Sequence, residues 1–282
     1  MSLGQPTTGS RAIPVPSTGG LALLRVVQVT DTHLLADPNG GLLGLCTRTA
    51  FESVLDLMLS RFGLPDILLL SGDLVHDESL AGYRYLAGRL RALGVPFYAI
   101  PGNHDDADRM AAVLDADAAS PMRALEIGGW QWLLLDSAVS GCAGGRLDPG
   151  QVGALDEALS RCALPALIGL HHHPVPVGSR WLDDIGLANG SELMALIERH
   201  RHVKAVLWGH VHQEFRGRQG DCLLLGSPST CVQFAPGTER FALDRSSPGF
   251  RWLVLYADGR IETGVERLPG RPDSLNLAAP GY

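Results

Sequence analysis

Five short polar clusters hold most of the residues in this chain that are equipped for chemistry: Asp31-Thr32-His33, Gly72-Asp73, Gly102-Asn103-His104-Asp105, His171-His172-His173 and Gly209-His210-Val211-His212. Carboxylates, neutral imidazoles and one carboxamide suit divalent or trivalent first-row metals, with little preference for thiols. Seven donors, namely Asp31, His33, Asp73, Asn103, His171, His210 and His212, exceed what one ion needs. With one carboxylate shared they suit two ions about 3.5–4 Å apart, the arrangement fitted to in-line displacement at phosphorus. Each cluster taken singly has a plainer reading. Asp31-x-His33 also fits an N-cap with a surface histidine, and Asp73 also fits the opening of a turn. His210 and His212 can share one strand face without a metal. Gly102-Asn103 reads as a turn that presents three polar side chains at one loop tip. The order of all five, each following an apolar run, is what favours the metal reading.

Those runs are Leu23–Thr30, Ile67–Ser71, Phe97–Pro101, Trp130–Asp136, Ala166–Leu170 and Ala205–Trp208, short and rich in Val, Ile and Leu as buried strands are. Helical patterns alternate with them. Phe51, Val54, Leu55, Met58, Leu59 and Phe62 form one apolar stripe, and Thr49 and Glu52 have capping-box spacing at its start. Residues 78–93, 149–160 and 191–200 repeat the pattern. A second strand group follows, Cys222–Gly226, Cys231–Phe234, Trp252–Ala257 and Arg260–Val265, with Asp258-Gly259 as the hairpin turn between the last two. Strand–helix alternation followed by extra strands predicts a layered α/β fold, with ligand-binding loops gathered where the strands end.

Composition excludes several classes. The 282 residues are 45% hydrophobic and 19% charged, with net charge −7, which is globular and unsuited to neutralising a nucleic-acid backbone. Lys204 is the single lysine and lies outside any glycine-rich loop, so no P-loop lysine exists, and no activating partner marks it for a Schiff base. G-x-G-x-x-G and G-x-S-x-G are both absent. The five cysteines (Cys46, Cys142, Cys162, Cys222, Cys231) never form C-x-x-C and read mostly as small buried residues, not as disulfides or a zinc site. No apolar run approaches the roughly 18–20 residues that span a membrane. Residues 1–20 have no apolar signal-peptide core and read as a flexible tail; residues 21–282 read as one domain with a C-terminal extension near the site, in a cytoplasmic protein.

In this order the clusters D-x-H, G-D, G-N-H-D, H-H and G-H-x-H resemble those of the calcineurin-like metallophosphoesterases. Longer stretches resemble the bacterial class III 3′,5′-cyclic AMP phosphodiesterases: Gln28–His33, Leu134-Leu135-Asp136-Ser137, His171–Pro174, Trp181-Leu182-Asp183, Pro228-Ser229-Thr230-Cys231-Val232-Gln233-Phe234 and Gly281-Tyr282. The resemblance covers roughly residues 24 to 282 and implies a four-layer α/β/β/α sandwich of two mixed sheets flanked by helices. It implies two metal ions per chain, iron plus manganese or another divalent ion. Asp31, His33, Asp73 and His212 would hold one; Asp73 as bridge, Asn103, His171 and His210 would hold the other. Substrate would meet His33, Asp73, Asn103, His104 and His212, with Asp105 supporting the His104 ring.

The implied reaction is hydrolysis of 3′,5′-cyclic AMP to 5′-AMP by a metal-bridging hydroxide, with His104 protonating the leaving 3′ oxygen. Two carboxylates and a hydroxide at about −3 against ions of about +4 to +5 leave the site positive, as a monoanionic diester requires. His172 and His173 are expected to be structural, and Trp181 to pack or to line the base side. The expected partner is a small cyclic nucleotide, with no nucleic acid and no membrane; a homodimer is carried as an assembly the sequence does not test. Two rivals use the same residues: another hydrolase (of phosphomonoesters, nucleotides or glycerophosphodiesters), or a non-catalytic scaffold, which predicts missing ligands.

Overall fold

Period-two alternation sorts each buried strand between two cores. In Leu23–Val29, Leu24 and Val26 face one side while Val27 and Val29 face the other; in Ile67–Ser71, Ile67 and Leu69 oppose Leu68 and Leu70. The computed structural model describes residues 23–114, 117–272 and 274–281, so the expected tail at 1–20 and Tyr282 lie outside the described residues.

Two mixed sheets result. The first runs in the order Ile261–Arg267, Gly249–Tyr256, Leu23–Val29, Ile67–Ser71, Phe97–Ile100, with the last three parallel. The second runs Phe215–Gln219, Cys222–Gly226, Val203–Trp208, Ala166–Gly169, Trp130–Leu135, Met122–Ile127, with the inner four parallel. Their facing sides share one core, in which Val26, Leu69 and Leu253 meet Trp130, Trp132 and Leu207. Helices Thr47–Arg61 and Leu80–Leu93 cover the outer face of the first sheet. Pro149–Arg161 and Gly190–Arg199 cover that of the second, completing the four layers.

The Thr49–Glu52 capping box does not form. The helix begins at Thr47, and the Glu52 carboxylate instead takes Arg89 Nε and Nη2 (2.6 and 2.7 Å) from the neighbouring helix, a charge-assisted pair that outcompetes a neutral cap. The sequence also hid the two-residue strands Gly41–Leu42, Leu45–Cys46 and Leu243–Asp244, and the longer Met122–Ile127 and Phe215–Gln219, which are half-exposed edges without an apolar run. The five cysteines are free thiols, yet only Cys222 and Cys231 are buried; Cys142 sits on an exposed loop, and Cys46 and Cys162 flank helices. Among the described residues no helix is long and apolar enough to cross a membrane.

A buried polar network ties the two sheets together beneath the strand ends. Gln28 Nε2 donates to Ser71 Oγ (2.8 Å) in its own sheet and to Trp208 O (3.1 Å) in the other. Arg251 donates to Ser227 Oγ (3.1 Å) and Gly226 O (2.8 Å), so its buried charge is dispersed over fixed acceptors. The network fixes the spacing of the loops that follow.

Candidate metal centre

Every cluster sits just past the end of a parallel strand: Asp31 and His33 after Leu23–Val29, Asp73 after Ile67–Ser71, Asn103 and His104 after Phe97–Ile100, His171 after Ala166–Gly169, His210 and His212 after Val203–Trp208. The loops are pinned to one another through main chain. Asp31 N donates to Gly72 O (3.0 Å), His33 N to Asp73 O (2.9 Å), and His210 N to the Asp31 carboxylate (3.0 and 3.1 Å). Close approach also explains two motif glycines. A Cβ on Gly72 (φ +93°) would stand 2.3 Å from His171 Nδ1, and one on Gly209 would stand 2.1 Å from Thr30 Oγ1.

The donors converge. His33 Nε2 and His212 Nε2 are 3.2 Å apart, and Asp31 Oδ1 lies 3.3 Å from His212 Nε2. Asp73 Oδ2 lies 3.3 Å from His171 Nε2 and 3.9 Å from His33 Nε2, so it faces one imidazole from each expected set. Buried groups with ligand atoms within 4.8 Å of one another are Asp31/His33/His212, Asp31/Asp73/His171 and His171/His172/His210. Asn103 Oδ1 is buried with no hydrogen-bond partner, which an oxygen ligand to a cation explains. Orphaned oxygen, convergent imidazole nitrogens and two buried carboxylates fit metal ions.

His172 is the exception in its group. Its Nδ1 is 2.9 Å from Ser137 Oγ and its Nε2 3.2 Å from Ala143 O, so both nitrogens are engaged away from the donors. His173 is buried with neither nitrogen hydrogen-bonded and stacks on His210 at 5.8 Å.

Electrostatics favour neutral rings at His33 and His210 and a positive charge beside Asp73. Burial pushes the His33 and His210 imidazoles well below the usual histidine range, and lowers His172 to about 3 and His173 to about 4. Burial alone would also lower His171, but the Asp73 carboxylate overrides it and raises the ring to about 9. Conversely, burial raises Asp73, and the His171 charge outweighs that to hold it well below the carboxylate range. The gap between them is therefore a place for positive charge.

His104 donates its main-chain N–H to Asp73 Oδ1 (2.9 Å), and its half-exposed ring lies 5.2 Å from that of His33. Asp105 accepts from Leu74 N, Val75 N and Gly102 N (3.0–3.1 Å) and from Tyr83 Oη (2.9 Å). Its carboxylate thus clamps the main chain of the two loops carrying Asp73 and Asn103; burial, then Asp73, raises it to about 6. Pro228–Phe234 backs the opposite wall: Ser229 Oγ donates to Asp31 O (2.7 Å), Val232 O faces His212 Nδ1 (2.8 Å), and Phe234 stacks on His212 at 4.1 Å. Trp181 packs edge-on against Phe234 and Phe241 and so meets the His212 wall through Phe234.

Sequence reasoning missed His76. It lies 3.2 Å from His33 Nδ1 through its own Nδ1, and its ring stacks on His104 at 4.9 Å. The available signal was its place three residues past Asp73, on the same loop.

Residues 24–214 match the calcineurin-like phosphoesterase family. The chain is 38% identical over 274 residues to the 3′,5′-cyclic adenosine monophosphate phosphodiesterase CpdA of Pseudomonas aeruginosa, covering 97% of this chain and 100% of the relative. It is 40% identical over 247 residues to the 3′,5′-cyclic-nucleotide phosphodiesterase alr5338 of Nostoc sp., covering 87% and 93%. Its fold is also that of a dimetal phosphatase from Danio rerio, with TM-score 0.62 at 14% identity over 88% of this chain and 99% of that one. With a family match over residues 24–214 and relatives aligned along nearly its whole length, the chain belongs to the calcineurin-like phosphoesterase family.

Proposed function

We propose that the chain hydrolyses 3′,5′-cyclic AMP to 5′-AMP at a two-metal centre. One ion is held by Asp31, His33, Asp73 and His212, the other by Asp73, Asn103, His171 and His210, with iron and manganese as the expected pair. The observation that carries this reading is the convergence of buried donors around Asp73, in a chain 38–40% identical to cyclic-nucleotide phosphodiesterases.

Two bound ions supply Lewis acidity and a hydroxide nucleophile near neutral pH. The protein's own groups do the rest. Asp73, whose Oδ2 faces His33 and His171, shares its carboxylate between the two donor sets. The His104 N–H···Asp73 bond fixes the loop that holds the half-exposed His104 ring beside that of His33. As the P–O3′ bond breaks and the nucleophile's oxygen takes its place on phosphorus, that ring would transfer its proton to the departing 3′ oxygen. Inversion at phosphorus follows from one direct displacement.

The test is hydrolysis of cyclic AMP by Mn2+-loaded protein in oxygen-18 water, with the product identified by chromatography and mass. 5′-AMP carrying one label per single turnover is expected. 3′-AMP would reverse the bond assignment. Cleavage of a chromogenic diester with cyclic AMP untouched would leave a phosphodiesterase with a different substrate.

A further inference from the structure

Each imidazole among the expected ligands has a second nitrogen, and what holds that nitrogen decides which way the ring aims its lone pair. His171 Nδ1 lies 2.8 Å from Ser71 O, His212 Nδ1 2.8 Å from Val232 O, and His210 Nε2 3.1 Å from Ile185 O. A carbonyl can only accept, so each of these three rings carries its proton on that outer nitrogen. His33 differs. Its outer nitrogen, Nδ1, faces another side chain, His76 Nδ1 at 3.2 Å.

We infer that His76 is the positioning residue for His33: its Nδ1 accepts the His33 Nδ1–H and thereby turns the His33 Nε2 lone pair toward Asp73 and His212. Geometry on both sides supports the assignment. The two loops are zipped by main chain, with Leu34 N donating to Leu74 O (3.0 Å) and His76 N to Leu34 O (2.9 Å), so the rings are held at bonding distance. The His33 and His76 ring centroids lie 5.2 Å apart at an interplanar angle of 66°, which leaves the two Nδ1 atoms facing each other at 3.2 Å. For Nδ1 to accept, His76 must carry its proton on Nε2. The other face of His76 stacks on His104 at 4.9 Å and 29°, so one side chain braces both a ligand and the proposed proton donor. Three of the four proposed ligand rings thus face backbone carbonyls, and the fourth faces the His76 side chain.

The inference rests on the reading of His33 as a ligand, and the test separates the two. Apoprotein prepared with a chelator is titrated with Mn2+ against a competing chelator, and bound ions per chain are counted by mass spectrometry for the parent, His33→Ala, His76→Phe and His76→Asn. Asn places an oxygen near the position of the histidine Nδ1, and Phe keeps a stacking ring without an acceptor. One ion of the two should bind about 10–100-fold more weakly in His76→Phe, and within about threefold of the parent in His76→Asn, the other ion being unaffected. His76→Phe with parental affinity for both ions, or His76→Asn as weak as His76→Phe, overturns the positioning role. Parental affinity for both ions in His33→Ala overturns the ligand reading itself.

Discussion

Where the parallel strands begin, left-handed turns are made by Gly63, Gly94, Gly128 and Gly259; where those strands end, the same conformation is carried by Asp31 (φ 53°), His33 (43°), Asp73 (52°), His210 (65°) and His212 (46°). Among the described residues only Leu43 and Glu78 are further non-glycine residues with positive φ. Such backbone costs of order 1–3 kcal/mol per residue and persists only where its surroundings over-determine it. Asp and His are among the side chains that tolerate it best. The inter-loop bonds from Asp31 N, His33 N and His210 N supply the over-determination. One end of the sandwich relaxes its turns with glycine alone; the other, beside Gly72 (φ +93°), stores strain in the residues that point donors inward.

Removing the side chain on which the strained end converges should have the largest effect. Asp73 faces both donor sets, with its Oδ2 3.3 Å from His171 Nε2 and 3.9 Å from His33 Nε2. Asp73→Ala should lose most bound metal and nearly all activity, while a melt of the apoprotein still shows a cooperative transition. Two ions per chain retained in that variant would end the bridging assignment.

His104 stands at the same end without left-handed backbone and outside both donor sets. His104→Ala should keep the metals and lose roughly 10²–10⁴ in rate on a substrate with an alkoxide leaving group. The loss should shrink with nitrophenolate, which leaves without a proton. Equal losses on both substrates would mean that the ring acts by holding phosphate.

One substitution made at both ends tests the comparison directly. A methyl group added at Gly94 (φ +68°) would meet nothing within 4 Å, so Gly94→Ala should cost roughly 1–2 kcal/mol in a denaturant titration through backbone alone, with metal content and kcat unchanged. At Gly72 the same methyl meets His171 Nδ1 at 2.3 Å, so Gly72→Ala should also displace a proposed ligand ring and lower metal occupancy. Parental occupancy in Gly72→Ala would show that the donor end is less tightly determined than its contacts imply.

Much of this was legible in the chain. Ile67–Ser71 and Cys222–Gly226 read as strands to the residue, because buried strands are short apolar runs with abrupt ends. The donors were legible because each follows such a run. Three features were not. The edge strands Met122–Ile127 and Phe215–Gln219 exist by pairing with neighbours that local pattern does not reveal. Glu52 was drawn off its cap by Arg89, a partner 37 residues away. His76 matches no motif, and only the folded loops bring it against His33 and His104.

The smallest effect concerns a carboxylate that shares the strand-end position but belongs to no donor group. Asp136 follows Trp130–Leu135, and its Oδ1 accepts the Ala138 N–H at 2.8 Å. Burial raises its carboxyl to about 6, more than that hydrogen bond lowers it. An acid whose pKa is raised on folding binds its proton more tightly in the native state, so its contribution to stability falls as pH rises from about 4 to about 6 and then levels off. A shift of that size corresponds to about 3 kcal/mol at most, reduced to about 1–2 kcal/mol because the side chain is half-exposed. Asp136→Asn keeps an oxygen for the Ala138 amide and removes the charge. Denaturant titrations of the apoproteins should therefore coincide near pH 4 and diverge by that amount, in favour of the variant, at pH 7 and above. Coincident curves at both pH values would mean that Asp136 is solvated well enough to ionise without cost, and that burial at the donor end weighs on carboxylates only where they face one another and the rings.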